Sequence, residues 1–145
     1  MKITMEPADL PEVEIIIRGN VTDPQILSVL QFLNQKENRS KLMVFAEEEQ
    51  VILDYSDIVF IETSANKILV YTKSDTYEAR QKLYELKEQL PSRNFAQINK
   101  SVLVNINCVR SIQAEFSGNY RLKLKNRKES LTISRKYFKE FKDKI

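Results

Sequence analysis

The spacing of short apolar runs between residues 41 and 133 limits the folds that this chain can adopt. Runs such as KLMVFA (41–46), IVFIET (58–63) and SLTI (130–133) are separated by brief polar turns. Runs of this length suit β-strands, because a helix usually needs at least about ten residues to bury one face. The pattern therefore predicts seven or more short strands with two or three helices, which makes a mainly β domain.

The individual elements follow from apolar periodicity and from turn residues. Leucines between positions 83 and 90 share one helical face, and Pro91 would end that helix. Ser134 is a suitable N-cap for a last helix. We expect strands at 41–46, 50–55, 58–63, 67–73, 111–116, 120–125 and 130–133, a brief strand after the turn at 74–76, and helices at 79–90 and 134–145.

The first forty residues have a different texture from the rest. Alternation in EVEIIIR (12–18) predicts a half-buried strand, and Asp23 with Pro24 predicts the start of a helix that reaches residue 36. The polar stretch QKENRSK (35–41) reads as a hinge. About forty residues are too few to fold alone. We therefore expect a strand-helix extension at 1–40, for dimerisation or regulation, before a domain at 41–145.

Composition excludes several classes of function. The chain has no histidine, two glycines and one cysteine. The commonest general base and metal ligand are therefore missing, no glycine-rich phosphate loop can be written, and no intrachain disulfide can form. We expect no catalytic site, no metal and no cofactor. Cys108 lies between apolar neighbours and is predicted to be a buried small hydrophobe, and these features together fit a reduced, cytoplasmic setting.

Charge is distributed unevenly along the chain. Residues 1–62 contain five Lys/Arg and twelve Asp/Glu, a net charge of −7, whereas residues 63–145 contain eighteen and eight, a net charge of +10. Two solvated surfaces that happen to differ would explain this. A basic half could also serve nucleic acid or an anionic membrane surface.

The stretch QINKSVLVNINCVRSI (97–112) raises a specific question. Lys100 stands directly before the apolar triplet Val102, Leu103 and Val104, which reads as a buried strand. No catalytic partner is near it in the sequence. An ordinary surface lysine would fit, and so would a cation that a rigid strand holds in a fixed direction.

Three segments in order resemble the LytTR DNA-binding domain family: DIVFIET, FAQINKSVLVNINCVRSI and LKLKNRKESLTISRKYFKEFK. In that family, Phe-x-x-x-His/Asn-basic-Ser-aromatic-x-Val-Asn follows a strand with an acidic residue, and Ser-Arg-basic-Tyr opens the last helix. The resemblance covers about residues 41–145. This sequence departs from the pattern at Asn99, where the family often has His, and at Val102, where it often has an aromatic residue.

The resemblance implies an elongated, layered β-sheet domain whose loops along one edge enter successive major grooves of double-stranded DNA. One loop supplies Asn66 or Lys67, a second supplies Lys100 with Asn99 and Ser101, and a third supplies Arg135 with Lys136. The basic residues Lys125, Arg127 and Lys128 would make weaker phosphate contacts. Lys100 would then be a DNA contact that Val102, Leu103 and Val104 anchor in the core.

The resemblance also implies a setting for the chain. Many members of the family follow a receiver domain, and forty residues are too few for one. Such short proteins are similar to bacterial LytTR regulators found beside a small membrane protein. We expect a transcriptional regulator that binds DNA as a homodimer on two repeated half-sites.

Other classes of function remain open from the residues alone. An RNA or single-strand binder would need aromatic residues on a basic sheet face, for which Tyr120 beside Arg121 and Lys123 is a faint hint. A protein-interaction module could use the basic half against an acidic partner or a membrane surface. An enzyme is the weakest option, since nothing predicts two carboxylates in one pocket.

Overall fold

In a computed structural model the chain is described over residues 2–20, 22–38 and 40–145. It divides into two compact units, Met1–Gln35 and Lys36–Ile145. Over the described ranges it forms ten strands in two sheets and three α-helices. The prediction of a mainly β chain with a few short helices is therefore confirmed. None of the helices in these ranges is long and apolar enough to cross a membrane.

The elements follow the chain in a simple order. They are α1 (Pro24–Asn38), β1 (Lys41–Ala46), β2 (Glu49–Asp54), β3 (Phe60–Ser64), β4 (Lys67–Tyr71), β5 (Thr76–Ala79), α2 (Leu83–Gln89), β6 (Phe95–Asn99), β7 (Val102–Asn105), β8 (Val109–Ala114), β9 (Tyr120–Leu124), β10 (Ser130–Ile133) and α3 (Arg135–Asp143).

The first unit differs from its prediction in one respect. Asp23 caps α1 as expected, because its Oδ1 accepts a hydrogen bond from the Gln25 amide at 2.9 Å. The predicted strand at 12–18 is wrong, since these residues form no strand. Alternation supplies an apolar face, but a strand also needs a hydrogen-bonded neighbour. Residues 12–18 pair with no strand of the described chain, and Ile15 and Ile17 instead line a groove beside Ile26 of α1.

Several element boundaries also differ from the predictions. The helix expected from residue 79 begins at Leu83, because Ala79 is buried and pairs with Ile68 as the last residue of β5. The hinge expected at 35–41 is helical as far as Asn38, and Arg39 lies outside the described residues.

The larger sheet has seven antiparallel strands in the order β2-β1-β5-β4-β3-β7-β6. The smaller sheet has the order β10-β9-β8 and is also antiparallel. Strands β6 and β7 therefore form one edge of the larger sheet, and the acidic β1–β2 hairpin forms the other.

Strand β7 is buried on both faces. All four of its residues are buried, and the three apolar ones alternate between two apolar clusters. Leu103 points toward α2, where it joins Leu86 and Leu90. Val102 and Val104 point the other way, toward the smaller sheet and Phe141 of α3. A continuous apolar triplet is what a strand between two layers requires.

Helix α3 is attached to β6 at both of its ends. The Ser134 amide donates to the Ile98 carbonyl at 2.8 Å, and Lys144 Nζ donates to the Phe95 carbonyl at 3.0 Å. Burial lowers the pKa of the Lys144 ammonium group. Ser134 occupies the N-cap position, but its side chain makes no capping hydrogen bond. The side chain of Asn119 accepts from the Arg135 amide at 3.3 Å instead.

Replacing Phe141 by alanine should destabilise the second unit strongly. The Phe141 side chain is fully buried between α3 and the smaller sheet, so the change leaves a cavity. We expect the free energy of unfolding to fall by about 3–5 kcal/mol. Urea denaturation followed by circular dichroism would measure it. Tyr84→Ala, at a position 64% exposed, is the matched control and should change stability by less than about 1 kcal/mol.

Candidate nucleic-acid interface

Hydrogen bonds join the three loop segments that carry the predicted contacts. The Thr63 amide, at the end of β3, donates to the Ser101 carbonyl at 2.8 Å. On the other side of the β6–β7 turn, Asn99 Nδ2 donates to the Thr132 carbonyl at 2.8 Å. The Ser134–Ile98 bond lies beside it. The β3–β4 turn, the β6–β7 turn and the start of α3 are therefore neighbours, in that order, along one end of the strands.

The β3–β4 turn is the tightest of the three segments. Ser64 and Lys67 pair across it, which leaves only Ala65 and Asn66 as the connecting residues. Both have positive φ angles, 48° and 64°, as a two-residue hairpin turn of this hand requires. Asn66 therefore has a structural reason to be there, because asparagine tolerates this conformation. Asn66 and Lys67 are exposed, and neither side chain contacts a hydrogen-bonding partner within the described residues.

The β6–β7 turn separates a positioning residue from an exposed cation. Both polar groups of Asn99 are engaged, since its Oδ1 also accepts from the Ser101 amide at 2.8 Å. Asn99 thus fixes the turn against β10. Lys100 is exposed, and it forms no ion pair with any residue in the described ranges. Ser101 is half-buried beside it.

The start of α3 brings a second hairpin to the same end of the molecule. Arg135 and Lys136 are exposed on the first turn of α3. The Arg135 side chain lies against Gly118 in the β8–β9 turn. A Cβ on Gly118 would approach Arg135 Cδ to 2.6 Å, and its φ of +90° also favours glycine. The Arg135 side chain therefore packs against the tip of the β8–β9 hairpin.

The three predicted phosphate contacts lie at the opposite end of the strands. Lys125 directly follows β9, whereas the Arg135 end of the smaller sheet lies at Tyr120, where β9 begins. Five residues of extended chain span roughly 17 Å. Arg127 hydrogen-bonds to Thr72, beyond the far end of β4 from Lys67. Lys125, Arg127 and Lys128 line one basic concavity with Lys73 and Arg110, away from the three loops.

Arg127 is committed to contacts within the protein. Its guanidinium group bonds both carboxylate oxygens of Glu129, at 2.9 and 2.7 Å, and the Thr72 carbonyl at 2.6 Å. It also lies 5.1 Å from the centre of the Tyr71 ring. The hydrogen bond that Arg127 donates to Glu129 raises the pKa of the guanidinium group. The expectation that Arg127 contacts phosphate is therefore not supported by its surroundings, while Lys125 and Lys128 remain exposed.

Other polar residues near the interface have structural roles. Tyr71 donates to Glu62 Oε2 at 3.2 Å, and burial together with this carboxylate raises the tyrosine pKa. Asn105 is buried; it donates to the Ile58 carbonyl at 2.9 Å and accepts from the Asn107 amide at 3.0 Å. Asn105 therefore satisfies backbone groups at the end of β7. Cys108 is half-buried rather than fully buried, and burial raises the pKa of its thiol.

The β8–β9 turn also lies at this end of the molecule, and its role there was not predicted from the sequence. The strand expected at 111–116 ends at Ala114, and Phe116 stands in the β8–β9 turn, fully exposed. Asn119 in the same turn holds the first amide of α3. Glycine followed by asparagine is typical of a turn, but no local pattern predicts that Gly118 and Asn119 would contact α3.

The arrangement presents exposed amide and cationic groups on a rigid edge. Arginine can bind guanine O6 and N7 with two hydrogen bonds, lysine can bind the same edge less rigidly, and asparagine can pair with adenine. Within the described residues no group of three or more acidic or cysteine side chains could hold a metal ion. The chemistry that these side chains offer is the recognition of anions and base edges.

Comparisons with known proteins agree with this fold. The sequence model of the LytTr DNA-binding domain family matches residues 48–145. The solved LytTr DNA-binding domain of a Bacillus cereus protein matches the fold with a TM-score of 0.69 and 20% identity, over 74% of this chain and 97% of that one. The chain belongs to the LytTr DNA-binding domain family. That family is defined by DNA binding in transcription regulation rather than by catalysis.

Two kinds of relative are similar in sequence. An uncharacterized HTH-type transcriptional regulator of Staphylococcus aureus is 26% identical over 95% of this chain and 92% of its own length. The sensory transduction protein LytT of Bacillus anthracis is 33% identical over 70% of this chain, but the match spans only 41% of LytT. The first relative is named as an HTH-type regulator, that is, one with a helix-turn-helix. In the described ranges of this chain no two α-helices follow each other directly, because strands separate each helix from the next.

Replacing Glu129 by glutamine should reduce the loss of stability in acid. The hydrogen bond from Arg127 lowers the pKa of the Glu129 carboxyl below 4.5. A carboxyl with a lowered pKa in the folded state stabilises the fold above its unfolded pKa, and this contribution is lost as the pH falls through the folded value. We expect the urea midpoint of the unchanged protein to fall more steeply below pH 4.5 than that of Glu129→Gln.

The control for this experiment is Glu48→Gln, which removes an exposed carboxylate from the β1–β2 turn. Glu48 forms no ion pair with any residue in the described part of the chain. Equal acid dependence in Glu129→Gln and Glu48→Gln would contradict the proposed role of the Arg127–Glu129 pair.

Proposed function

We propose that this chain is a sequence-specific regulator that reads double-stranded DNA through loops in the major groove. One observation supports this most strongly: hydrogen bonds fix the β3–β4 turn, the β6–β7 turn and the start of α3 side by side, with exposed Lys100 and Arg135 on them. Side chains held on rigid elements can be aimed at base edges without a large entropy cost on binding.

The three segments have different parts in this proposal. Arg135 reads guanine, and Lys100 contacts a guanine edge or a nearby phosphate. Asn66 is the amide that remains available for adenine, because both polar groups of Asn99 bond within the protein. Lys67, Ser101 and Lys136 contact phosphates around these positions, and the amides at the start of α3 favour the same anions.

The basic concavity at the other end has a weaker role. Lys125 and Lys128 would attract phosphates without reading sequence, and each neutralised phosphate steepens the dependence of affinity on salt. Lys125→Ala is therefore expected to weaken binding to all duplexes evenly. Arg127 is left out of this group because Glu129 and Thr72 occupy its guanidinium group.

The first unit supports a dimer. Ile26 and Val29 are half-buried against the N-terminal segment, whereas Leu27, Leu30 and Phe32 on the rest of α1 are exposed at 49%, 41% and 74%. A helix that is apolar on most sides is normally covered on most sides. We propose that residues 1–40 pair with those of a second copy, so that two domains of residues 41–145 bind two repeated half-sites. A functional link to a small membrane protein stays a prediction from the family resemblance.

The dimer can be tested at Leu27. We expect Leu27→Glu to convert a dimer to a monomer in sedimentation velocity at micromolar concentration, because the change places a charge in the apolar contact. Gln50→Glu is the matched control, since it adds the same charge at an exposed position of β2, outside residues 1–40, and should leave the dimer intact. A monomer before any substitution would refute the proposed pairing.

A single-strand or RNA binder is less well supported. Such a protein stacks bases on exposed aromatic rings of a basic sheet face. Tyr120, the residue that suggested this alternative, is stacked on Phe138 with ring centres 3.7 Å apart and is half-buried. The outer face of β9 carries Arg121 and Lys123 instead. A protein-interaction module with a basic surface would bind DNA without any dependence on sequence.

The decisive test combines selection with substitution. Duplexes would be selected from a random library, and affinity for a recovered site would be read by fluorescence anisotropy. We expect Arg135→Ala and Lys100→Ala each to weaken specific binding by about 1–3 kcal/mol, the usual worth of a base-edge contact. Lys142→Ala is the control, because it removes the same charge two turns further along α3 and should cost little.

The outcomes separate the alternatives. Recovery of a repeated motif whose recognition depends on Arg135 supports a sequence-reading regulator. Weak binding that ignores sequence and vanishes with salt would instead mean that the basic half is only an electrostatic surface. An equal loss in Arg135→Ala and Lys142→Ala would point to charge alone and refute the assigned contact.

A further inference from the structure

Phe116 is the most exposed large apolar side chain in the described part of the chain. Its exposure of 114% means that no neighbour covers the ring at all. Covering a phenylalanine side chain is worth a substantial free energy in water. A ring held fully in solvent therefore suggests a surface that is covered in a complex.

The turn that carries Phe116 is held by several hydrogen bonds. The Glu115 amide donates to the Asn119 carbonyl at 3.0 Å, and the Gly118 amide donates to the Glu115 carbonyl at 3.0 Å. Arg121 and Glu115 pair across the hairpin at 3.2 Å. The backbone on both sides of Phe116 is thus closed, and the ring projects from an ordered turn.

The same turn touches the start of α3, where Arg135 is proposed to read a base. Arg135 Cδ and its guanidinium nitrogens lie against Gly118, two residues after Phe116. Asn119 accepts a hydrogen bond from the Arg135 amide. A duplex that meets the Arg135 guanidinium group would therefore also meet the tip of this hairpin.

We propose that Phe116 adds a fourth base contact to those of Arg135, Lys100 and Asn66, and that its ring packs against the C5-methyl group of a thymine next to the base that Arg135 reads. This inference rests on the proposed function. In the major groove the thymine methyl is the apolar feature that distinguishes one base from another, and phenylalanine is among the side chains that contact it. Exposed cations at Arg135 and Lys136 beside the ring favour a polyanionic partner over an apolar protein surface.

The test is a double substitution across the interface. A duplex recovered by selection with the unchanged chain would be synthesised with deoxyuridine in place of each thymine in turn, which removes only the methyl group. The unchanged chain should lose about fourfold in affinity at one position next to the Arg135 site, the worth of burying one methyl group. Phe116→Ala should bind the unmodified duplex more weakly and be insensitive to deoxyuridine at that position.

Two further variants test whether the response to deoxyuridine is specific to Phe116. Ile52→Ala removes another exposed apolar side chain, 63% exposed, from β2 at the far edge of the larger sheet, and should keep the full response. Phe116→Leu retains an apolar side chain and should keep part of it. Thermal unfolding of each variant would verify the fold.

Each outcome decides the question. If Phe116→Ala loses affinity at the same deoxyuridine position as the unchanged protein, Phe116 does not contact that methyl group and the inference is overturned. Unaltered affinity in Phe116→Ala would overturn it too. If the unchanged protein selects no sequence at all, the proposed function itself fails, whereas a selected site that Phe116→Ala binds normally removes only the fourth contact.

Discussion

The burial of β7 on both faces is the constraint on which the rest of the second unit depends. Leu103 joins the cluster under α2, while Val102 and Val104 join the cluster under α3 and the smaller sheet. Neither layer could be removed without exposing one side of this strand. The charged turn before β7 is therefore attached to the most constrained strand of the domain. This is the physical answer to why a lysine precedes an apolar triplet.

A few hydrogen bonds attach the β3–β4 and β6–β7 turns to the rest of the domain and thereby limit their motion. Asn99 uses both ends of its amide to fix the β6–β7 turn against β10, and the Thr63–Ser101 bond attaches the next turn. Two kinds of residue lie in these turns. Asn99 makes hydrogen bonds that fix the turn, whereas Lys100 and Arg135 are exposed to solvent. Position in the sequence motif alone does not tell these groups apart.

Apolar periodicity and capping residues correctly predicted the elements that depend on interactions between neighbours in the sequence. The strands at 41–46 and 120–125, the Asp23 cap of α1 and the last helix follow from periodicity and capping. The predictions were wrong where the structure of a segment depends on contacts with residues far away in the sequence. Residues 12–18 alternate like a strand but have no strand beside them in the described chain, and Ala79 joins β5 because Ile68 lies opposite. Arg127 was expected to contact phosphate, but its guanidinium group donates hydrogen bonds to Glu129 and to the Thr72 carbonyl. The family resemblance indicated the loop segments, but it could not distinguish a positioning amide from an exposed one, nor reveal Phe116.

The uneven charge of the chain has a geometric counterpart in the larger sheet. Three glutamates, Glu47, Glu48 and Glu49, lie at the β1–β2 turn on one edge, and β6 with the start of α3 lies at the other. Six strand spacings of about 4.8 Å separate the two edge strands, β2 and β6. Charges of opposite sign so far apart give the domain an electric dipole moment. In the field of a polyanion such a molecule experiences a torque before it touches anything, and it arrives with its cationic edge turned toward the duplex. The acidic hairpin would thus accelerate productive encounters without making a single contact with DNA.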